Sequence, residues 1–291
     1  AADAKRNLSD ALDDLLSLEK PDVRKARRER AMRAFAALVD EATRKAPAPE
    51  AAAPKAPEIK VETPAAQSAA ASPVEALRHK FGDPSFEGFP SIVQARKFML
   101  ENGFKPVEGL PENKQIEEAI EHAIVLAARD IAAIGTRKGN PSEAFDHLVR
   151  LYEKQPRLGS RTSTSVSEQA YSTPAPLAYV ASQLAGIDKN KIVVEPTAGN
   201  AMLLIEADPK KARVNELNAT RADALVAQGF NPSRADATLE STFADSKGKA
   251  DVVIANPPFG AVREGGESKT FRVPGLNTTA IDYAIALNAL E

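Results

Sequence analysis

The sequence contains no cysteine, which excludes disulfides, zinc knuckles and thiolate chemistry together. Histidine is nearly as scarce: His79, His122 and His147 lie in separate helix-like stretches with no ligand-like spacing, so no metal is expected. No apolar run approaches the ~18–20 residues of a membrane span. The opening residues, Ala1 to Arg6, also lack the apolar core of a secretory signal. No membrane partner is expected, and the expected location is the cytoplasm. A large excess of charge is missing as well. A net charge of −2 leaves any nucleic-acid contact to local basic patches. What is present is ordinary for a globular protein: 43% hydrophobic and 27% charged residues in a chain of 291, enough for one or two domains.

Composition divides the chain into four stretches. Residues 1–45 form an N-terminal helical segment broken at Pro21. Its second half carries an apolar stripe of Val23, Met32, Phe35, Leu38 and Val39 interleaved with Arg24, Lys25, Arg27, Arg28, Arg30 and Arg33. That basic cluster is either a phosphate-contacting surface or a solvated helix face. Residues 46–73 are an Ala/Pro-rich stretch that buries too little apolar surface to offset the entropy of ordering, and a disordered linker is expected.

Residues 74–157 return to helical periodicity. Ser91 is placed to cap a helix through Phe98 and Leu100 that stops at Gly103. Ile116, Ile120, Ala123, Ile124, Ala127 and Ile131 mark the apolar face of a longer helix. Asn140, Pro141 and Glu143 form a capped start, with Glu143 placed to reach back. A small helical bundle with no identifiable chemistry is expected here.

Residues 158–291 differ. Short apolar runs at Lys191–Glu195, Ala212–Glu216 and Asp251–Ala255 alternate with helical patterns, which predicts an α/β fold with a parallel sheet and crossover helices. Ligands of such sheets sit beyond the carboxyl ends of the strands. After the first run comes Glu195-Pro196-Thr197-Ala198-Gly199-Asn200, a small-residue turn that lets backbone N–H groups approach a ligand, with Met202, Leu203 and Leu204 opening a helix. The second run ends at Glu216, which is either a ribose-binding carboxylate or a surface glutamate. Asp236, with Ala237 beside it, is positioned to accept a hydrogen bond from an adenine amino group.

The third run leads into Asn256-Pro257-Pro258-Phe259. Those four residues arise by chance in only about one chain of this length in a few hundred. The chemistry of amino-group methylation accounts for the residue types. An exocyclic amino nitrogen has its lone pair delocalised into the ring and is a poor nucleophile until its hydrogens are held. The Asn256 side-chain oxygen and the Pro257 carbonyl can both accept from it, and neither proline has an N–H to compete. Phe259 offers a flat face for a base taken out of a duplex.

Asn256-Pro257-Pro258-Phe259 resembles the catalytic motif of amino-group DNA methyltransferases, and Glu195 to Asn200 resembles their cofactor loop. Tyr171-Ser172-Thr173-Pro174 is similar to the segment that holds the methionine end of the cofactor in the subgroup where it precedes that loop. This order matches the adenine-N6 subgroup. The resemblance implies a Rossmann-like methyltransferase sheet, S-adenosylmethionine as cofactor and DNA as partner. It implies cofactor contacts from residues 171–174, from Glu195, Thr197, Ala198, Gly199 and Asn200, and from Glu216, Asp236 and Ala237. One departure is Ala201, where many members have a second glycine.

The stretch from Leu158 to Leu290, including Ser160 to Thr164 and Gly265 to Lys269, is similar to the methyltransferase-like region of strawberry-notch-like proteins of phages and plasmids. In that family the region precedes a helicase, and some members are implicated in antirestriction. The location this implies is a bacterial host cytoplasm, or a phage particle.

About four parallel strands are expected, whereas the resemblance implies seven. The strand bearing Asn256 would then have an open edge, which soluble proteins normally cover. A fragment of a longer protein is therefore expected, with a C-terminal helicase region or a second chain completing the sheet. The stretch from Gly260 to Leu276, with Arg263, Lys269 and Arg272, is either a phosphate-contacting loop or a flexible surface loop, and Thr278 to Leu290 reads as a helix. Other readings keep the fold and change the role: methylation of a glutamine amide or an RNA base, or a retired methyltransferase that binds nucleic acid or protein.

Overall fold

The computed structural model describes residues 72–156, 172–264, 267–273 and 276–290. Expectations for residues 1–71, Ser160–Thr164, Tyr171, Gly265 and Gly266 lie outside the described residues. All described elements belong to one compact unit, Pro73–Glu291.

Five helices precede the sheet: α1 (Pro73–Gly82), α2 (Ile92–Glu101), α3 (Glu112–Lys138), α4 (Pro141–Lys154) and α5 (Ala175–Ala185). Local chemistry sets their ends. Ser91 Oγ accepts from Gln94 N at 3.4 Å to start α2. Asn140 Oδ1 accepts from Glu143 N at 3.1 Å to start α4 behind Pro141, and Glu143 reaches back to the Asn140 side chain at 3.1 Å. Gly139, at φ 64°, ends α3 in the left-handed conformation that glycine adopts without strain. The 27-residue α3 is the spine of the bundle, burying Ile116, Ile120, Ala123, Ile124 and Ala127. At Gly135 it touches α4 so closely that an added Cβ would sit 2.3 Å from the Ala144 methyl.

The parallel sheet has β1 (Val193–Glu195) at its centre, β2 (Arg213–Val214) on one side and β3 (Val252–Val253) on the other. Beyond β2, Asn215 and Ser233 form an isolated parallel bridge. Ser233 N donates to Val214 O and Glu216 N to Ser233 O, each at 2.9 Å. The sheet is thus three strands plus a one-residue bridge, smaller than the expected four. Pro196, with no N–H, follows β1 directly and limits its ladder. The chain steps outward from β1 through β2 and α6 (Ala219–Ala227) to Ser233, then crosses to the opposite side of β1 for β3. The order reverses at β1, where parallel sheets open a crevice.

The expected helix after the glycine turn is instead a single 3-10 turn, Met202–Leu204. Two causes are visible: Asp208 and Pro209 interrupt the run, and Arg129 of α3 donates to Leu204 O at 2.7 Å and Ala207 O at 3.0 Å. Leu204 O also accepts from Ala207 N at 3.1 Å, three residues on, so it bonds in the 3-10 and not the α-helical pattern. The expected loop after Gly260 contains two short hairpins, β4 (Arg263–Glu264) with β5 (Glu267–Ser268) and β6 (Phe271–Val273) with β7 (Leu276–Thr278). Helix α7 (Ile281–Leu290) closes the described chain. Its Ile285 and Ala289 pack with Val194 and Phe243 against the sheet, and its Ala284 packs with Phe271 and Val273 of the second hairpin. Among the described residues β3 pairs with β1 alone, and no helix is long and apolar enough to cross a membrane.

Candidate active site

Three stretches far apart in sequence meet at the carboxyl ends of β1 and β3. Pro196 follows β1, and the chain turns through Gly199 (φ 55°) and Ala201 (φ 70°), both left-handed. Ala201 is fully buried, so its methyl is packed inside although its backbone conformation favours glycine. The turn is tied to β2 by Ala198 N donating to Asn215 O at 2.9 Å and by Gly199 N donating to Glu216 Oε2 at 2.8 Å. Glu216 Oε1 takes Asn218 N at 2.8 Å. The carboxylate that ends the second run therefore lies directly against the glycine turn.

Asn215, overlooked in the sequence, is the staple of this region. Buried to 2% exposure, it donates from Nδ2 to Pro196 O at 3.1 Å and Ala235 O at 3.0 Å. Its Oδ1 accepts from Ala235 N at 2.9 Å and Ser233 Oγ at 2.8 Å. One amide thus fixes the glycine turn, the end of β2 and the segment leading to Asp236. Asp236 Oδ1 accepts from the Thr238 backbone at 2.9 Å and from its hydroxyl at 2.6 Å, in a side-chain turn at the surface. Ala237 is buried in the core with Val194 and Phe243.

Beyond β3, Asn256 Nδ2 donates to Thr173 Oγ1 at 3.0 Å. The contact joins the Asn-Pro-Pro-Phe motif to the segment just before α5. Pro174 caps α5 without a side-chain bond, Pro257 and Pro258 are half-buried, and the Phe259 ring is 58% exposed. Ser172 Oγ donates to Glu121 Oε2 at 2.6 Å, and Asn200 Nδ2 donates to the same oxygen at 3.1 Å and to Glu118 Oε2 at 3.3 Å. The expected residues Ser172, Thr173, Gly199, Asn200, Glu216 and Asn256 are thereby linked. The basic residues of the hairpins stand apart: Arg263 and Arg272 are exposed, and Lys269 lies over the Phe271 ring at 5.5 Å.

Glu118 and Glu121 come from α3, in the bundle that shows no chemistry in sequence. Arg221 of α6 pairs with Glu118 through Nε at 3.0 Å and Nη2 at 3.2 Å. The sequence signal that does exist is the i, i+3 spacing of two like charges on one helix face, which is unfavourable for an isolated helix and calls for a partner.

Charge dominates the chemistry of this cluster. Burial drives the Glu195 carboxyl up to about 8, reinforced by Glu216 and only partly opposed by Thr197 N donating to its Oε1 at 3.4 Å. Burial and then the Glu118 charge raise Glu121, against the pull of Arg221, Ser172 and Asn200. Burial alone would lower Arg221, but the charge and hydrogen bonds of Glu118, with Glu121 and Glu216, hold it above its usual value. Thr197 Oγ1, Asn200 Oδ1 and Gln228 Oε1 are buried oxygens with no hydrogen-bond partner among the described residues, and so is Glu195 Oε2, on a carboxyl that is neutral below about 8. The arrangement suits a ligand rich in N–H and O–H donors and carrying positive charge.

No protein-family model matches the chain, and neither does any curated protein or solved structure.

Proposed function

We propose that this chain catalyses S-adenosylmethionine-dependent methylation of the exocyclic amino group of adenine in DNA. The observation that carries the reading is the Asn256–Thr173 hydrogen bond, which sets the Asn-Pro-Pro-Phe motif against the segment preceding α5. Through Ser172, Glu121 and Asn200 the same network runs to the glycine turn. The strand order, with Ser233 outside β2, then β1, then β3, supports the Rossmann-like assignment, because doubly wound nucleotide-binding sheets begin in that order.

The residues present fit the cofactor. Thr197 and Asn200 hold oxygens without a hydrogen-bond partner among the described residues around the turn, and the cofactor brings donors and positive charge. Glu216, already against Gly199, would hold the ribose hydroxyls. Asp236 would accept from the adenine amino group. When bound, the cofactor supplies an electrophilic methyl on a sulfonium.

This chain's own residues then have to make an amine nucleophilic. Donation from Asn256 Nδ2 to Thr173 fixes the amide and leaves Oδ1 as its acceptor. Oδ1 and the Pro257 carbonyl hold the two hydrogens of the amine, which turns its lone pair out of conjugation. No general base is needed during bond formation, since the methylated, cationic nitrogen loses its proton readily. Phe259, largely exposed, would stack on the extruded base. Arg263, Lys269 and Arg272 would contact phosphates. Within a larger phage or plasmid antirestriction protein, an attached helicase region or a second chain would cover the outer edge of β3.

The test combines calorimetry with S-adenosylmethionine and transfer of labelled methyl to unmethylated duplex DNA. Binding and transfer are expected. Asn256→Ala is expected to reduce transfer roughly 10²–10³-fold, the usual effect of deleting one group that acts on the transition state, while cofactor affinity is unchanged. Labelling of a glutamine peptide or RNA in place of DNA moves the acceptor, and absence of cofactor binding overturns the reading.

A further inference from the structure

The helical bundle contributes a charged group to the candidate site. Glu121 projects from α3 to the junction of Ser172 and Asn200, each of which donates to its Oε2. Ser172 adjoins Thr173, the residue that holds Asn256, and Asn200 adjoins Gly199. Glu121 therefore stands where the two cofactor-holding stretches converge.

Among the described residues the charges there do not balance. Arg221 is committed to Glu118 by two hydrogen bonds, at 3.0 and 3.2 Å, and comes no nearer than 3.8 Å to Glu121. One guanidinium therefore faces two carboxylates among the described residues, which leaves the cluster one negative charge in excess, with the Glu121 side chain only 16% exposed. Its hydrogen-bond donors, a hydroxyl and an amide, are both neutral. Two buried carboxylates on one guanidinium are costly unless a further cation reaches them. Asn200 is an independent observation: it is 5% exposed, and its Nδ2 points at the glutamate pair while its Oδ1 has no donor among the described residues. One group answers both deficits: a primary ammonium carries a single positive charge and three N–H donors.

We propose that Glu121, with Asn200 Oδ1 beside it, receives the α-ammonium of the cofactor's methionine arm, so that the helical bundle selects for an amino-acid-bearing sulfonium. This inference rests on the methyltransferase reading above. It assigns Glu121 a binding and positioning role and no part in the chemical step.

Calorimetry on the whole chain tests it with three ligands. S-Adenosylmethionine carries ammonium and carboxylate, its decarboxylated form keeps only the ammonium, and 5′-dimethylsulfonio-5′-deoxyadenosine keeps the sulfonium but has neither. Glu121→Gln preserves an acceptor for Ser172 and Asn200 and removes the charge. It is expected to weaken the first two ligands roughly 10- to 100-fold, the range of a charge-assisted hydrogen bond, and to leave the third unchanged. Equal losses for all three ligands, or none, overturn the inference and leave the methyltransferase reading standing. If the variant fails to fold, the native chain decides. The decarboxylated ligand must bind at least about tenfold more tightly than the dimethylsulfonio compound, and equal affinities overturn the assignment. A native chain that binds none of the three defeats the methyltransferase reading, and the inference with it.

Discussion

Asn256 and Glu195 show how one side chain can be defined by what surrounds it. The Asn256 amide is turned by a hydroxyl from 83 residues earlier in the chain, and no local pattern encodes that contact. The carboxyl of Glu195 is held protonated by burial, up to about 8. In an unfolded chain the same group titrates near its ordinary 4.5, so between those values the native state binds more protons than the unfolded state. The contribution of this group to stability is therefore greatest below about 4.5 and is lost as pH rises toward about 8. Glu195→Gln removes the titration. Its urea-unfolding free energy is expected to vary less than the native protein's between roughly pH 5 and 8, and to exceed it at the upper end by on the order of 2 kcal/mol. An unchanged slope would show that Glu195 is ionised in the native state.

At the level of elements, the segments whose ends are fixed by local chemistry were legible. Ser91 and Asn140 cap α2 and α4 because a short polar side chain reaches the backbone three residues on, whatever the tertiary context. The apolar runs ending at Glu195, Glu216 and Ala255 do carry the strands, although the hydrogen-bonded parts are two or three residues long. Legibility failed where a distant partner decides. The Met202–Leu204 segment stops after one turn where Arg129 binds the Leu204 and Ala207 carbonyls, and the hairpins after Gly260 depend on α7 burying Phe271 and Val273. Glu118 and Glu121 show no chemistry in the helical pattern, because their partners come from α6 and the glycine turn. Asn215 is not legible in sequence because the four hydrogen bonds of its side chain are all to groups 18 to 20 residues away. Asn215→Ala strands several of these buried groups. It is expected to cost about 2–4 kcal/mol in chemical unfolding, more than an exposed asparagine at a cap such as Asn102 would cost.

Across the whole molecule, the sheet is asymmetric. Ile254 N donates to Val194 O at 3.0 Å, so by strand alternation the N–H groups of Val253 and Ala255 point away from β1. Hydrogen exchange is expected to be faster at Val253 and Ala255 than at Val252 and Ile254. Protection at all four would mean that another strand lies against that edge.

Helix α3 grips the segment after β1 at both of its ends. Glu118 and Glu121 reach Asn200, and Arg129, roughly 12 Å further along the same helix axis, reaches Leu204 and Ala207. The stretch between cannot flap open by itself. Any rearrangement of the turn has to tilt a rod roughly 40 Å long, whose other end lies against α4 at Gly135, so events at the sheet's mouth register on the remote side of the bundle.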